Sequence, residues 1–288
     1  MRIEDVHIRD PFILMDDDTK YLYGTTDENP WDGPGGGFDC YKVNQDGTVI
    51  RSTVFQPTKD FWGKENFWAP EVYKYQNEYL MVASFKGVNR GVQILTSSRP
   101  DGSFQPVGNQ SITPLNQECL DGTLWEEDGQ LYMIYSHEWL QCYDGEIRIA
   151  KVSNDFLSLQ DTKTLFTASE ASWTVENVEG PNRGYVTDGP YIYPISKHRL
   201  AMIWSSFSQN GYAIGVAYSE NGILGPWVHD DKPLYDSDGG HGMIYSENGK
   251  HYLIFHGPNT LGKERVRQFE IEEKNGYLFI KENEKEAF

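Results

Sequence analysis

Short apolar runs of four to eight residues, rich in Val, Ile, Tyr, Phe and Trp, alternate along the chain with clusters of Gly, Asp, Asn and Pro. No long segment carries a helical period, so the pattern predicts an all-β chain. Five segments repeat one plan: a polar residue beside Pro or Gly, an apolar strand, a polar turn and a second strand. They are "RDPFILMDDDTKYLYGTT", "WAPEVYKYQNEYLMVASF", "DGTLWEEDGQLYMIYSHEW", "DGPYIYPISKHRLAMIWSSF" and "HGMIYSENGKHYLIFHGP". Their polar markers Asp10, Glu71, Asp121, Asp188 and His241 stand 61, 50, 67 and 53 residues apart. Each unit is too long for a lone hairpin and suits a four-stranded sheet. Radial repetition of such sheets predicts a five-bladed β-propeller with about 58 residues per blade. The inner strands of a propeller start at a central channel, so the five markers are expected around one axial pocket. No low-complexity linker interrupts the pattern, and residues 1–288 are read as one domain.

Charge narrows the partners. The chain carries 25 Lys and Arg against 43 Asp and Glu, a formal net charge of −18, which disfavours nucleic acid and anionic membrane surfaces. Eight Trp and eighteen Tyr suit a β-rich core and also stacking on flat ligands such as sugar rings. Cys40, Cys119 and Cys142 form no C-x-x-C pair and read as reduced thiols. The N-terminus lacks the apolar core of a signal peptide, and no apolar run reaches membrane length, so a cytoplasmic location is expected. The glycine-rich stretch "DENPWDGPGGG" (27–37) has no strand–GxxxxGKS–helix context, which makes it a ligand-facing loop rather than a phosphate loop.

Carboxylates that face one another across a cavity suit acid–base chemistry, because burial and mutual repulsion push their pKa values apart. In inverting glycoside hydrolysis one carboxylate activates water while a protonated one donates to the leaving oxygen. The motifs "RDPFI", "FWAPEV", "DGTLW", "DGPYIY" and "GGHGMIY" occur in this order over nearly the whole chain. In them the sequence resembles glycoside hydrolase family 43, the five-bladed arabinofuranosidases and xylosidases. The resemblance implies Asp10 as general base and Asp121 as the carboxylate that tunes the acid. The family's acid is a Glu in an E-G-P context; the aligned residue here is Asp188 in "TDGPYIY", one methylene shorter. Glu179 in a literal "EGP" and Glu138 in "SHEW" remain alternatives for that role.

Other positions follow from the same reading. Glu71 is a channel acid kept outside the catalytic set, because Ala69 matches Asp10 when the prolines are aligned. Trp31 and Trp68 are candidates for stacking on a sugar face. His137, Glu138, His241 and Arg265 complete the expected substrate-binding set, with Arg267 a neighbour of similar character. The resemblance also implies that His241 holds a channel cation through water, a structural calcium; no cofactor is needed for the chemistry. The expected activity is an inverting, exo-acting glycosidase on short oligosaccharides, arabinofuranosidase favoured over xylosidase. A non-catalytic sugar-binding propeller is the rival from another class.

Overall fold

The computed structural model describes residues 1–281. Five four-stranded antiparallel sheets follow one another along the chain, each built from consecutive strands. Blade I comprises Arg9–Asp16, Thr19–Thr25, Phe38–Val43 and Val49–Phe55. Blade II comprises Glu65–Tyr75, Glu78–Lys86, Arg90–Ser97 and Gln105–Pro106. Blade III contains Cys119–Glu127, Gln130–His137, Glu146–Val152 and Leu159–Thr167. Blade IV contains Asp188–Pro194, Leu200–Ser208, Gly211–Ser219 and Trp227–His229; blade V contains Gly240–Glu247, Lys250–Gly257, Arg265–Lys274 and Tyr277–Ile280. The result is the five-bladed β-propeller that the repeat predicts. A short helix, Trp139–Cys142, and a small hairpin, Asn177–Glu179 with Asn182–Gly184, are added beside blades III and IV. Among the described residues no helix is long and apolar enough to cross a membrane.

Neighbouring blades meet through apolar faces. Phe38, Phe55, Phe67 and Phe85 interlock between blades I and II, with ring centroids 4.9–6.1 Å apart. Ile134, Trp204 and Ala213 belong to the cluster joining blades III and IV, and Ile203, Ile244 and Phe255 to that joining IV and V. The ring closes without a shared strand. The start of the chain bridges to blade V instead: His7, before blade I, pairs with Arg265, and the guanidinium of Arg9, the first residue of blade I, donates to Glu264 Oε1 at 2.7 Å.

The first strand of every blade breaks register at the same place. One residue in each break adopts the left-handed conformation: Asp10 (φ 54°), Ala69 (48°), Asp121 (54°), Gly189 (49°) and His241 (50°). Four of these are not glycine, and each costs roughly 1 kcal/mol or more of backbone strain. A bulge of this kind re-aims its side chain and leaves a backbone N–H out of the ladder. The true repeat is therefore 10, 69, 121, 189 and 241. The sequence markers Glu71 and Asp188 lie two residues after and one residue before the equivalent positions.

A second repeat satisfies the freed N–H groups. Thr25, Ser84, Ser136, Ser205 and His256 occupy one position on the second strands, opposite Arg9, Trp68, Leu120, Asp188 and Gly240. Ala69 N–H donates to Thr25 Oγ1, Asp121 N–H to Ser84 Oγ and His241 N–H to Ser205 Oγ, each at 2.8 Å. Asp10 N–H donates to His256 Nδ1 at 3.1 Å, which closes the circle from blade V to blade I. Each blade thus holds the bulge of the next. Blade III is the exception: Gly189 N–H donates to Asp121 Oδ2 at 3.1 Å, and Ser136 Oγ is buried without a partner.

Candidate active site

The bulge residues Asp10, Asp121 and His241 meet at a cavity of about 580 Å³. Asp10, Asp121, Asp188 and His241 line it, as do Trp31, Trp68 and Glu138. With Glu179, eight of the residues singled out from the sequence therefore line one cavity. Gly189 shows why the channel is tight: it has positive φ, and a Cβ there would lie 2.6 Å from His241 Cδ2.

The three aspartates differ in surroundings. His241 Nδ1 stands 3.3 Å from Asp10 Oδ1 and 3.6 Å from Asp121 Oδ2. Thr25 Oγ1 donates to Asp10 Oδ2 at 2.7 Å. Burial works to raise the Asp10 pKa, but His241, His256, Arg9 and the Thr25 hydroxyl outweigh it and hold it below the usual aspartate value. His256 Nδ1 already accepts the Asp10 N–H, and burial keeps this ring's pKa well below the ordinary histidine value. His256 accepts the Asp10 N–H while its Nδ1 also lies 3.4 Å from Asp10 Oδ1.

Asp188 goes the other way. Burial, then the neighbouring Asp121 and Glu138, push its carboxyl up to about 8; His241 and the Tyr212 hydroxyl oppose this without cancelling it. Asp121 is likewise pushed up to about 8, by burial and then by Asp10, against the Gly189 N–H. An ionised and a protonated carboxyl in a common cavity can serve as base and acid. Glu138 is also raised by burial, but its carboxylate is tied to the Arg90 guanidinium. Glu179 sits on the exposed hairpin at the cavity mouth.

Cations and aromatic rings alternate along another part of the lining. Arg9 lies over Trp31 at 4.9 Å, Trp31 meets Trp68 edge-on at 5.1 Å, and Arg90 lies over Trp68 at 4.3 Å. Trp68 Nε1 donates to Pro30 O at 2.7 Å, and Asn66 Nδ2 donates to Pro30 O and Trp31 O. These bonds hold the 27–37 loop over the pocket. Trp31 remains 48% exposed, so a face of it is open to a ligand.

Several expected residues lie elsewhere. His137 is buried in blade III, with Nδ1 2.8 Å from Glu146 Oε2 and Nε2 2.8 Å from Gln141 Oε1, so no ring nitrogen is left for a sugar. Arg265 does not line the cavity and donates to Glu264 O at 2.7 Å. Glu71 is buried off the cavity wall, bonded to the Tyr73 hydroxyl, and burial pushes it up to about 8. The three cysteines are unpaired. At His241, where a calcium held through water is expected, the protein itself offers few direct donors. Calcium takes six to eight oxygens. His241 Nδ1 faces two carboxylates, and among the described residues no three His, Cys, Asp or Glu side chains converge as a ligand group.

Arg9, Arg90, Tyr212 and His256 were not picked out from the sequence. Arg9 had the signal of standing beside Asp10 in "RDP". Tyr212 and Arg90 lie on third strands, away from the repeated marker.

A sequence model of glycosyl hydrolases family 43 matches residues 3–274. The chain belongs to glycosyl hydrolase family 43. The family explains the conjunction of propeller and axial carboxylates, and it makes the protein a glycoside hydrolase. Among solved structures, an endo-arabinase from Bacteroides thetaiotaomicron is 36% identical, with a TM-score of 0.88, over 96% of this chain and 98% of that one. A thermostable family 43 glycoside hydrolase, 21% identical with a TM-score of 0.80 over 98% and 96% of the chains, shares the fold. So does an α-L-arabinofuranosidase from Lactobacillus brevis, at 18% identity and a TM-score of 0.75 over 95% and 94%. The search of curated proteins found no match.

Proposed function

We propose that this family 43 member is an inverting, exo-acting glycosidase that releases terminal α-L-arabinofuranosyl residues from short oligosaccharides. The observation that carries the reading is that two carboxyls share one cavity in opposite surroundings: Asp10 beside His241 and the Thr25 hydroxyl, Asp188 beside the Tyr212 hydroxyl and, with Asp121 and Glu138, on the same cavity lining. Asp10, ionised, takes a proton from water as the oxygen attacks the anomeric carbon. Asp188, protonated, gives its proton to the glycosidic oxygen as that bond breaks. Asp121 lies beside Asp188, so the two buried carboxyls cannot both ionise, and it accepts the Gly189 N–H. Trp31 and Trp68 offer ring faces to the sugar. The 27–37 loop, the 139–142 helix and the 177–184 hairpin wall the cavity, which supports exo action.

A second reading, an endo-acting arabinase, is favoured by the name of the 36% identical Bacteroides protein. One experiment separates the two. The purified protein is incubated with linear arabino-oligosaccharides, an aryl α-L-arabinofuranoside and an aryl β-D-xyloside, and products are followed by NMR. Monosaccharide alone, released with inverted anomeric configuration, is the expected result. Internal fragments would establish endo cleavage, retained configuration would remove the inverting mechanism, and xyloside turnover alone would move the activity to β-xylosidase. Binding without turnover would leave a sugar-binding propeller.

A further inference from the structure

We propose that Tyr212 is a positioning residue that decides which oxygen of Asp188 carries the donated proton. This rests on Asp188 being the general acid. Asp188 opens the first strand of blade IV, and Tyr212 stands near the start of the third. The Tyr212 hydroxyl donates to Asp188 Oδ2 at 2.9 Å. Burial, with Asp188, Asp10 and Asp121 nearby, holds the phenol pKa well above its ordinary value, so the hydroxyl stays protonated and can serve as a donor.

A neutral carboxyl has one carbonyl oxygen and one hydroxyl oxygen. A donor aimed at Oδ2 marks it as the carbonyl oxygen, which places the proton on Oδ1. Other groups compete for that proton: Asp121 and Glu138 face Asp188 from blade III, and His241 faces it from blade V. The Tyr212 hydroxyl is what distinguishes the two oxygens. Once Asp188 has given up its proton to the leaving group, the same bond becomes charge-assisted and stronger.

The ring itself is fixed on three sides. It stacks on His256 with centroids 5.7 Å apart and planes 29° apart, and it meets Phe207 at 5.3 Å. His256 is the ring that accepts the Asp10 N–H, so one stack connects the base to the acid. Gly240 covers the remaining side: a Cβ there would lie 2.3 Å from Tyr212 Cε1. This close approach accounts for Gly240, the second of the three glycines around His241.

The test is Tyr212→Phe in the full chain, assayed on an arabino-oligosaccharide and on an aryl glycoside with an acidic phenol. The oligosaccharide needs a proton at its leaving oxygen and the activated phenol does not. The expected result is a kcat on the oligosaccharide lower by roughly 10–100-fold, with KM within about twofold and the aryl substrate nearly unaffected. Gly240→Ala keeps the hydroxyl but displaces the ring, and should show the same split. Equal losses on both substrates, or a rise in KM alone, would overturn the proposal. Asp188→Ala is measured alongside. If it shows no split, the assignment of the acid fails first; if it does and Tyr212→Phe does not, only the role of Tyr212 fails.

Discussion

Asp10 and Asp188 carry the same functional group, and their neighbours set them apart. Asp10 is met by His241, Arg9 and the Thr25 hydroxyl, whereas Asp188 is buried against Asp121 and Glu138. The sign of the pH dependence follows. Hydrolysis needs Asp10 ionised and Asp188 protonated, so kcat/KM should fall as pH rises through about 8, where Asp188 loses its proton. On the acid side the rate should hold to below the ordinary aspartate range, because the Asp10 pKa is lowered. A pH–rate profile checks both limbs; an alkaline limb absent up to pH 10 would contradict the assignment. At this scale the sequence was readable where a residue type and a repeat coincided, as at Asp10, Asp121 and His241. Tyr212 and Arg90 were not readable, since a tyrosine or arginine on a β-strand has many packing roles and only three-dimensional proximity reveals this one.

At the level of strands, the bulge in each first strand and the side chain that caps it form one device. The bulge turns Asp10, Asp121 and His241 toward the axis, and the cap from the preceding blade satisfies the N–H that the bulge frees. Ser84→Ala leaves the Asp121 N–H buried without an acceptor and should cost about 1–3 kcal/mol. Ser136→Ala, at the equivalent place in blade III, removes a hydroxyl that has no partner and should be close to neutral. Denaturant melts of the two variants give the comparison; equal losses would show that the caps do not hold the bulges. The polar markers in the sequence revealed the period but missed its phase in two blades. Glu71 and Asp188 stand near the bulge, while the residues inside it, Ala69 and Gly189, have no polar group to draw the eye. Aligning the Pro residues that follow 10, 69 and 189 recovers the phase, because each proline stands directly after the left-handed residue.

As a whole molecule, the propeller brings together residues from opposite ends of the chain. Asp10 from the first blade and His241 from the last face each other at 3.3 Å only because His7, Arg9 and Glu264 seal blade V against blade I. The blade count and order were legible from repeated strands and turns. The position of His137 was not, because a histidine at a strand end is equally able to bond Glu146 and Gln141 as to face a ligand. The division of labour between Asp10 and Asp188 is the central claim, and the leaving-group dependence of the Asp188→Ala variant tests it most directly. With Glu138→Gln and Glu179→Gln as companions, each is assayed on a natural oligosaccharide and on an aryl glycoside with an acidic phenol. Asp188→Ala should nearly abolish cleavage of the oligosaccharide and keep substantial turnover of the aryl glycoside, a contrast that neither glutamate variant shows. If Glu138→Gln or Glu179→Gln shows the contrast and Asp188→Ala does not, the proton comes from that glutamate and the account is wrong.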